Sequence, residues 1–476
     1  MDWSVLFSVM QPELILTGII LLILLAEISL NKKDIIVDLS IILFLILTIA
    51  GFVNHPDGNL FGGMFRANQT INMLKNILNV GVLIILLQSA SWVKTKMKES
   101  SRLAEFYILM FSSLLGMYFM ISSGDFLMFY IGIELASLPV AGLAAFDTFK
   151  VRSNEAGLKY IFLAAITSGV SLFGISLLYA ASGTIYFEQL TSFLTLDPLV
   201  ILGFLFFITG LLFKISIVPF HLWTADVYEG APINVTSYLS VISKGSSAFI
   251  LLIFLFTFAR PLMDLWRELI FLLSIVTMFF GNFFALRQKN MKRFLAFSSI
   301  AQAGFLILGM ISGSQLGMTS VVFFVATYIF SNLGAFGVVY AIANNTGKEE
   351  MDDYNGFYRT NPLLSVLMML SLFSLAGIPP VAGFFGKFFL FMSAASAGYY
   401  WLIFIAVINV TISLYYYLLV VRAMFVRRSE NPIPYFKSDN YLRTGLLIAT
   451  FGILSIGFYS PIYEHINEVV SQFLNH

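Results

Sequence analysis

Long apolar stretches, separated by short charged or turn-forming segments, run along nearly the whole chain. Most are close to the roughly 20 residues that a helix needs to cross a membrane. The pattern predicts about fourteen membrane-spanning helices, and hence an all-α polytopic membrane protein. The predicted spans are 12–30, 35–53, 71–93, 104–122, 125–146, 155–181, 197–230, 233–259, 268–286, 294–312, 316–343, 362–392, 400–421 and 441–460.

Two of these spans are too long for a simple helix and contain helix-breaking residues. The seventh holds Pro219, and the twelfth holds the run Gly377-Ile378-Pro379-Pro380. Both are therefore predicted to be broken helices, which in transporters often occupy corresponding positions of an internal repeat. A faint self-match at an offset of 163 residues, together with the opposite charge bias of the two helix starts, fits an inverted repeat. It aligns Ser168, Phe173 and Gly174 with Ser331, Phe336 and Gly337.

Composition agrees with a chain that lies within the bilayer. Of 476 residues, 59% are hydrophobic and 11% are charged, so no soluble domain is expected. The first apolar run lacks a basic leader and a cleavage site, so it is read as a mature helix. Cysteine is absent, which excludes disulfides and Cys-ligated iron–sulfur clusters, and the four scattered histidines favour neither haem nor zinc. The net charge of +1 argues against nucleic-acid binding.

Basic residues in the connections set the orientation, because cytoplasmic loops are enriched in lysine and arginine. One side carries only Arg66, Arg260 and Arg267, and it also carries both termini. The opposite side carries Lys32, Lys33, Lys94, Lys96, Lys98, Arg102, Lys150, Arg152, Arg287, Lys289, Lys292, Arg293, Lys348, Arg359, Arg422, Arg427, Arg428 and Lys437. Both termini are therefore predicted to face away from the cytoplasm. The end of the seventh span breaks the pattern, with Asp226 and Glu229 and no basic residue.

Six basic residues remain inside the predicted spans. Lys75 and Arg443 lie near span ends and are predicted to extend to the headgroups. Lys159 is also near an end, and its position leaves a surface role and a buried role equally open. The other three, Lys214, Lys244 and Lys387, lie too deep to reach water along their own helices. The border residues Glu27, Asp38, Glu105 and Asp125 are predicted to be interfacial.

The deep lysines, with Glu134 in the fifth span, are the candidate functional groups. Each charge at a helix centre costs roughly 2.5–3.5 kcal/mol on insertion scales, and intramembrane ionisable groups usually mark ion pathways. A structural ion pair of Glu134 with Lys214 is the alternative, although one pair does not account for three lysines. Burial disfavours the ammonium form and a nearby carboxylate favours it, so desolvated lysines can carry protons.

Two further patterns support a proton path. Ser237, Ser240 and Ser247 share a helical face with Lys244 and are predicted to order water around it, although serine-mediated helix packing is the alternative. His221 follows the break at Pro219 and lies between two buried lysines in sequence, which favours a relay role.

The segment around the break at Pro219 carries a specific resemblance to a known family. The run Phe213–Trp223, with Lys214 and Val218-Pro219-Phe220-His221, is followed by Asp226-Val227-Tyr228-Glu229-Gly230-Ala231-Pro232 and then by Lys244. This order resembles the antiporter-like membrane subunits of respiratory complex I, and most closely the N type, the counterpart of mitochondrial NADH dehydrogenase subunit 2. The resemblance covers essentially the whole chain, including Glu134 and Lys387.

The resemblance implies fourteen helices with two inverted five-helix repeats. It divides the chain into an N-terminal three-helix segment (1–103), a first repeat of helices four to eight (104–259), a second repeat of helices nine to thirteen (260–428) and a C-terminal helix (429–476). It also implies roles: Glu134 and Lys214 as a coupled pair, Lys244 as the central site, Lys387 as the exit-side site and His221 as a bridge between Lys214 and Lys244. Lys159 matches a family position in the sixth helix.

The same resemblance implies a subunit of the bacterial inner membrane that translocates protons and carries no redox centre. NADH, FMN, iron–sulfur clusters and quinone would be bound by other subunits, and the neighbours would be M-type, K-type and J-type subunits. One departure stands out: related subunits often have a histidine in the tenth helix, where this chain has Gln302, which cannot carry a proton. Three alternatives remain open: a multi-subunit sodium/proton antiporter, a ferredoxin-, formate- or hydrogen-linked membrane complex, and a purely structural scaffold.

Overall fold

The computed structural model describes residues 3–30, 32–96 and 102–475. Lys98, one of the basic residues used to orient the chain, lies outside these ranges. Helices dominate the described chain: α1 (Trp3–Val9), α2 (Gln11–Ser29), α3 (Asp34–Val53), α4 (Gln69–Lys96), α5 (Leu103–Ile121), α6 (Phe126–Ala144), α7 (Val151–Ser182), α8 (Phe187–Leu190), α9 (Pro198–Ile215), α10 (Leu222–Gly230), α11 (Ile233–Tyr238), α12 (Lys244–Phe256), α13 (Met263–Ala285), α14 (Met291–Leu308), α15 (Gln315–Thr346), α16 (Phe357–Thr360), α17 (Pro362–Ala376), α18 (Ala382–Ser396), α19 (Tyr400–Phe425), α20 (Asn440–Phe458) and α21 (Pro461–Asn475). Strands β1 (Gly58–Leu60) and β2 (Phe65–Ala67) form an antiparallel hairpin.

The helices confirm an all-α membrane fold. In the described part of the chain, thirteen helical segments are long and apolar enough to cross a bilayer. The shorter apolar helices α17 and α18 occupy the predicted twelfth span. The most buried helices are α12, α14 and α15, and every residue of α12 is buried. The core of the bundle therefore contains the segments that carry Lys244 and Gln302.

Both predicted breaks are present and share one backbone geometry. The first separates α9 from α10, and the second separates α17 from α18. At each, a residue with positive φ follows the first helix, Ser216 at 67° and Gly377 at 85°. The next residue donates a backbone N–H to the carbonyl five residues earlier, from Ile217 in one break and Ile378 in the other, at 3.0 Å in both. Such endings satisfy otherwise unpaired helix carbonyls inside the membrane.

The eighth predicted span has an irregularity that the hydropathy pattern did not indicate. Between α11 and α12, residues Leu239–Ser243 form a π-helical turn, which ends immediately before Lys244. A π turn inserts an extra residue into the helical register and is frequent at functional sites. The turn therefore changes which side chains share a face with Lys244.

The chain ends in an amphipathic helix, α21, beyond the last predicted span. Thr70 Oγ1 of α4 donates to the carbonyl of Val469 at 3.1 Å, and Gln315 Nε2 and Thr319 Oγ1 of α15 donate to Asn467 Oδ1 at 3.1 Å each. These bonds hold α21 across the ends of α4 and α15.

The fold covers Asp125, one of the border residues predicted to be interfacial. Asp125 is fully buried, and its carboxylate accepts the backbone N–H of Met128 at 2.8 Å. It caps the first turn of α6, where a carboxylate also interacts favourably with the helix dipole. A residue at a span border is thus not always exposed to solvent.

Candidate functional site

Lys244 lies at the first position of α12, in the centre of the bundle. Its side chain is buried, and its Nζ donates a hydrogen bond to Ser299 Oγ of α14 at 2.8 Å. The ammonium also lies over the ring of Tyr228, 5.6 Å from the centroid. A small cavity next to it is lined by Ser299, Gln302 and Tyr328. The central lysine therefore bonds to α14, next to a cavity that α15 also lines through Tyr328.

The serines predicted to surround Lys244 do not form its contacts. Ser237 and Ser247 donate to carbonyls of their own helix, at 3.0 and 2.9 Å, while Ser240 lies 3.2 Å from the hydroxyl of Tyr328. The π turn before Lys244 accounts for part of the difference, because its extra residue changes the spacing of Ser237 and Ser240 from Lys244, whereas Ser247 bonds to the backbone instead. Ser299, on another helix, takes their place.

Lys387 reaches the broken end of α17. Its Nζ donates to the carbonyls of Leu375 and Ala376, at 2.8 and 3.2 Å, and lies 4.7 Å from the ring centroid of Phe305. The carbonyl of Leu375 also accepts a hydrogen bond from Gln302 Nε2 at 2.9 Å. Lys387 and Gln302 are therefore joined through one carbonyl that the helix break exposes.

A row of polar groups thus connects the two deep lysines. It runs from Lys244 through Ser299 and the cavity to Gln302, and then through the Leu375 carbonyl to Lys387. Tyr417 adds a further polar group to this row, because its hydroxyl lies 3.3 Å from Gln302 Nε2 and 2.5 Å from Ser298 Oγ. Gln302, which departs from the family histidine, occupies the middle of the row.

Lys214 is buried in the last turn of α9 and has no direct ion pair with Glu134 among the described residues. Within the described part of the chain its Nζ has no hydrogen-bond partner, and neither does the hydroxyl of Tyr160, which packs against Phe213 at 6.0 Å between ring centroids. Glu134, on α6, is half-buried, whereas both of these atoms are fully buried. Buried polar groups of this kind are usually bridged by ordered water. A single-water link between Glu134 and Lys214 therefore stays a prediction.

His221 caps the start of α10 without contacting either lysine directly. Its ring packs edge-on against Phe280, with 5.9 Å between centroids, and its Nδ1 has no hydrogen-bond partner among the described residues. A bridge between Lys214 and Lys244 through His221 would need water on both sides, so this role also stays a prediction.

Lys159 lies at the surface rather than in the row of buried lysines. Its side chain is 40% exposed and pairs with Glu155 at 2.6 Å and Asp226 at 2.7 Å. Arg293 extends the cluster, with 2.7 Å to Asp226 and 2.8 Å to Glu229. The acidic end of the seventh span, which seemed to break the charge pattern, is therefore neutralised by basic residues from neighbouring segments.

The described residues contain no group of three or more histidine, aspartate or glutamate side chains that could hold a metal ion. The ionisable groups of the site are lysine, carboxylate and imidazole side chains, which can bind protons, and hydroxyl, amide and carbonyl groups lie between them.

Comparisons with known proteins agree with this arrangement. Residues 123–413 match the family described as NADH:quinone oxidoreductase/Mrp antiporter, transmembrane. The chain is 46% identical to NADH-quinone oxidoreductase subunit N of Phocaeicola vulgatus, over 96% of this chain and 98% of that protein. The chain belongs to the NADH-quinone oxidoreductase subunit N family. The resemblance found in the sequence is thereby confirmed.

Solved structures of related proteins share the fold of this subunit N family member. A chain of respiratory complex I from Thermus thermophilus with bound aureothin matches with a TM-score of 0.79 and 27% identity, over 94% of this chain and 97% of that chain. A chain of the archaeal membrane-bound sulfane sulfur reductase matches with a TM-score of 0.85 and 22% identity, over 100% of this chain and 99% of that chain. At that identity the second match shows a common fold alone.

One buried charge in this subunit N family member lies outside the row. Lys75 of α4, predicted to extend to the headgroups, is instead buried and forms an ion pair with Glu13 of α2 at 2.5 Å. Its Nζ also lies 5.4 Å from the ring centroid of Phe65. The prediction was wrong because a carboxylate on a neighbouring helix offers a closer partner than the membrane surface.

This pair leads to a stability prediction. Replacing Lys75 with methionine leaves Glu13 buried without a counter-charge, so the variant should lose about 3–5 kcal/mol of stability. The double variant Lys75→Met, Glu13→Gln should recover most of the loss, because neither remaining group is charged. The midpoint of thermal inactivation of the purified complex measures both.

Lys94→Met provides the matched control, since Lys94 pairs with Asp38 at 2.7 Å but the two side chains are 24% and 42% exposed. That substitution should cost no more than about 1 kcal/mol. Equal stability of the Lys75 and Lys94 variants would contradict a structural role for the Glu13–Lys75 pair.

Proposed function

We propose that this chain is the N-type, proton-translocating membrane subunit of a bacterial NADH:quinone oxidoreductase. The observation that carries the proposal is the row of polar groups between the buried Lys244 and Lys387, which hydrogen bonds and one small cavity connect. Uncharged packing would not require lysines at this depth, because each costs roughly 2.5–3.5 kcal/mol to insert. A role in ion translocation explains why lysines are present at this depth.

The proposed path combines the sequence-derived roles with the observed contacts. Glu134 and Lys214 form the coupled pair on one side, Lys244 is the central carrier and Lys387 is the exit-side carrier. Gln302 binds and orients water between the last two, because an amide can donate and accept hydrogen bonds but cannot itself exchange a proton at neutral pH. Ser299, Tyr328 and Tyr417 would hold that water in place.

The chain's setting follows from the same proposal. It lies in the bacterial inner membrane with both termini on the periplasmic side, in agreement with the distribution of basic connections. Its neighbours are other complex I membrane subunits, of the M, K and J types. NADH, FMN, iron–sulfur clusters and quinone bind to other subunits, so this chain acts as a translocase without a redox centre of its own.

The rival assemblies are less well supported. The match to subunit N extends over nearly the whole of both proteins at 46% identity, whereas the likeness to the sulfane sulfur reductase rests on the fold. Mass spectrometry of the assembly purified through this chain should find flavin and iron–sulfur subunits with an NADH site. An assembly of antiporter subunits alone would overturn the proposal.

The first functional test concerns Glu134. Glu134→Gln removes the charge that the proposal couples to Lys214 while preserving size and polarity, so assembly should remain normal. We expect NADH-driven proton pumping and quinone reduction to fall about tenfold, which corresponds to about 1.4 kcal/mol of activation free energy. Proton uptake by inverted membrane vesicles, normalised to the assembled complex, measures the effect.

Glu188→Gln is the control, because Glu188 is 73% exposed and pairs with Arg66 near the β-hairpin. It should pump normally. If Glu134→Gln also assembles and pumps normally, Glu134 does not take part in translocation.

A further inference from the structure

A groove on the side of the bundle away from the lysine row is unexplained by proton translocation. It encloses about 730 Å³, within the range of ligand pockets, and is formed by α4, α15, α20 and α21 with the end of α3. Its floor is one face of α4, with Met73, Ile77 and Val80, and one wall is α21, with Ile462 and Ile466.

The groove has a polar end and an apolar end. His55, Gln69, Asn72, Tyr459 and His465 line the end near the chain termini. Deeper in, the lining is mostly apolar, with Asn76 as a polar exception beside the side chains of Ile77, Val80, Ile329, Phe330, Ile448 and Phe451. This gradient corresponds to the change from headgroup to hydrocarbon within one leaflet.

The groove is also the length of one leaflet. Along α4 it extends from Gln69 to Val80, which is about 16 Å at 1.5 Å per residue. The hydrocarbon core of a bilayer is about 30 Å thick, so the groove ends near the midplane. A membrane-spanning helix of a neighbouring subunit would need a groove along the full thickness of the bilayer. This groove is shorter than the helices that form it, because α4 continues to Lys96 and α20 begins at Asn440, and neither of these ends lines the groove.

The polar end contains a buried acceptor that the protein leaves unused. Asn72 Nδ2 donates to the carbonyls of Gly51 and Asn54, at 2.9 and 3.0 Å, but its Oδ1 has no hydrogen-bond partner among the described residues. The imidazoles of His55 and His465 add N–H donors at the same level. Imidazole N–H donors for a phosphate are thus present at the polar end of the groove.

We propose that this groove binds a phospholipid of the leaflet on the side of the chain termini. One acyl chain lies between α4 and α20, and the headgroup lies against His55, Gln69 and His465. The amphipathic helix α21 forms the wall that holds the lipid, and its hydrogen bonds to α4 and α15 make that wall part of the fold.

The test uses the complete complex in liposomes that contain phosphatidylethanolamine with a diazirine in the middle of one acyl chain. After illumination, mass spectrometry locates the cross-links. Labelling of the α4 segment Met73–Val80 should exceed, by several-fold, that of the lipid-facing side of α3. Ile77→Trp should reduce the α4 labelling strongly because the indole fills the groove, and Val80→Trp serves the same purpose if that variant does not assemble.

Ile42→Trp is the control, because Ile42 is 55% exposed on α3 and does not line the groove. It should leave α4 labelling unchanged. The double variant His55→Leu, His465→Leu should reduce the labelling by removing headgroup contacts. Equal labelling of α3 and α4 would show ordinary bilayer contact, absence of α4 labelling would indicate a covering protein, and displacement by a short-chain quinone would indicate a small-molecule site; each would overturn the proposal.

Discussion

Replacing Lys244 with methionine should reduce NADH-driven proton pumping to the background of the vesicles. The ammonium is the charged centre of the polar row, and methionine keeps the length and apolar stem while removing the proton-binding group. We expect a loss well beyond tenfold, because Ser299 and Gln302, the groups next to Lys244 in the row, have no proton that titrates at physiological pH. The measurement is pumping by inverted vesicles, normalised to the amount of assembled complex.

The fold should tolerate this substitution. Ser299 loses the hydrogen bond from Lys244, but its hydroxyl still donates to the carbonyl of Ala296 at 2.7 Å. Removing a buried charge also removes its desolvation cost. Lys94→Met, at the exposed pair with Asp38, is the control and should pump normally.

Lys244→Arg separates a proton carrier from a fixed charge. Arginine keeps a positive charge that is not released at physiological pH, so this variant should also fail to pump. Its larger planar group must fit beside Ser299 and Tyr228, and assembled levels report whether it does. If the arginine variant pumps as well as the wild type, a fixed charge is sufficient and Lys244 is not the carrier.

Much of the fold could be predicted because membrane burial imposes strong constraints on sequence. Hydropathy located the spans, and Pro219 and Pro379-Pro380 located the two breaks, since proline cannot donate a backbone hydrogen bond. Neither signal indicates a change of helical geometry within a single turn. The π turn at Leu239–Ser243 has no proline or glycine, so the faces of the eighth helix were assigned with the wrong register.

The partners of the lysines were less predictable than the lysines themselves. Lys387 and Gln302 meet at the carbonyl of Leu375, and every residue has a carbonyl, so the sequence carries no signal for that contact. Lys75 and Lys159 show the same limit for charges. Lys75 pairs with the buried Glu13, and Lys159 pairs with Asp226 at the surface. In both pairs the two residues are more than sixty positions apart in the sequence.

Replacing Lys387 should have an effect as large as replacing Lys244, but here a structural explanation competes. Lys387 Nζ donates to the last carbonyls of α17, and a cation at a helix C-terminus stabilises the helix whether or not it exchanges protons. Lys387→Met would remove both functions at once. The carbonyl of Leu375 would keep its bond from Gln302, whereas that of Ala376 would lose its side-chain donor, at a cost of about 1–3 kcal/mol.

Lys387→Gln and Lys387→Arg distinguish the two explanations. Glutamine keeps an N–H donor for the Leu375 carbonyl without a titratable group, and arginine keeps both donors and charge without releasing a proton at physiological pH. We expect both variants to assemble, with thermal inactivation midpoints close to the wild type, and both to lose pumping by more than about tenfold, equivalent to more than about 1.4 kcal/mol. Normal pumping by the glutamine variant would show that Lys387 only caps α17. Normal pumping by the arginine variant alone would show that a fixed charge beside the break is sufficient. In either case Lys387 would not carry protons, and the proton path would have to leave the row at or before Gln302.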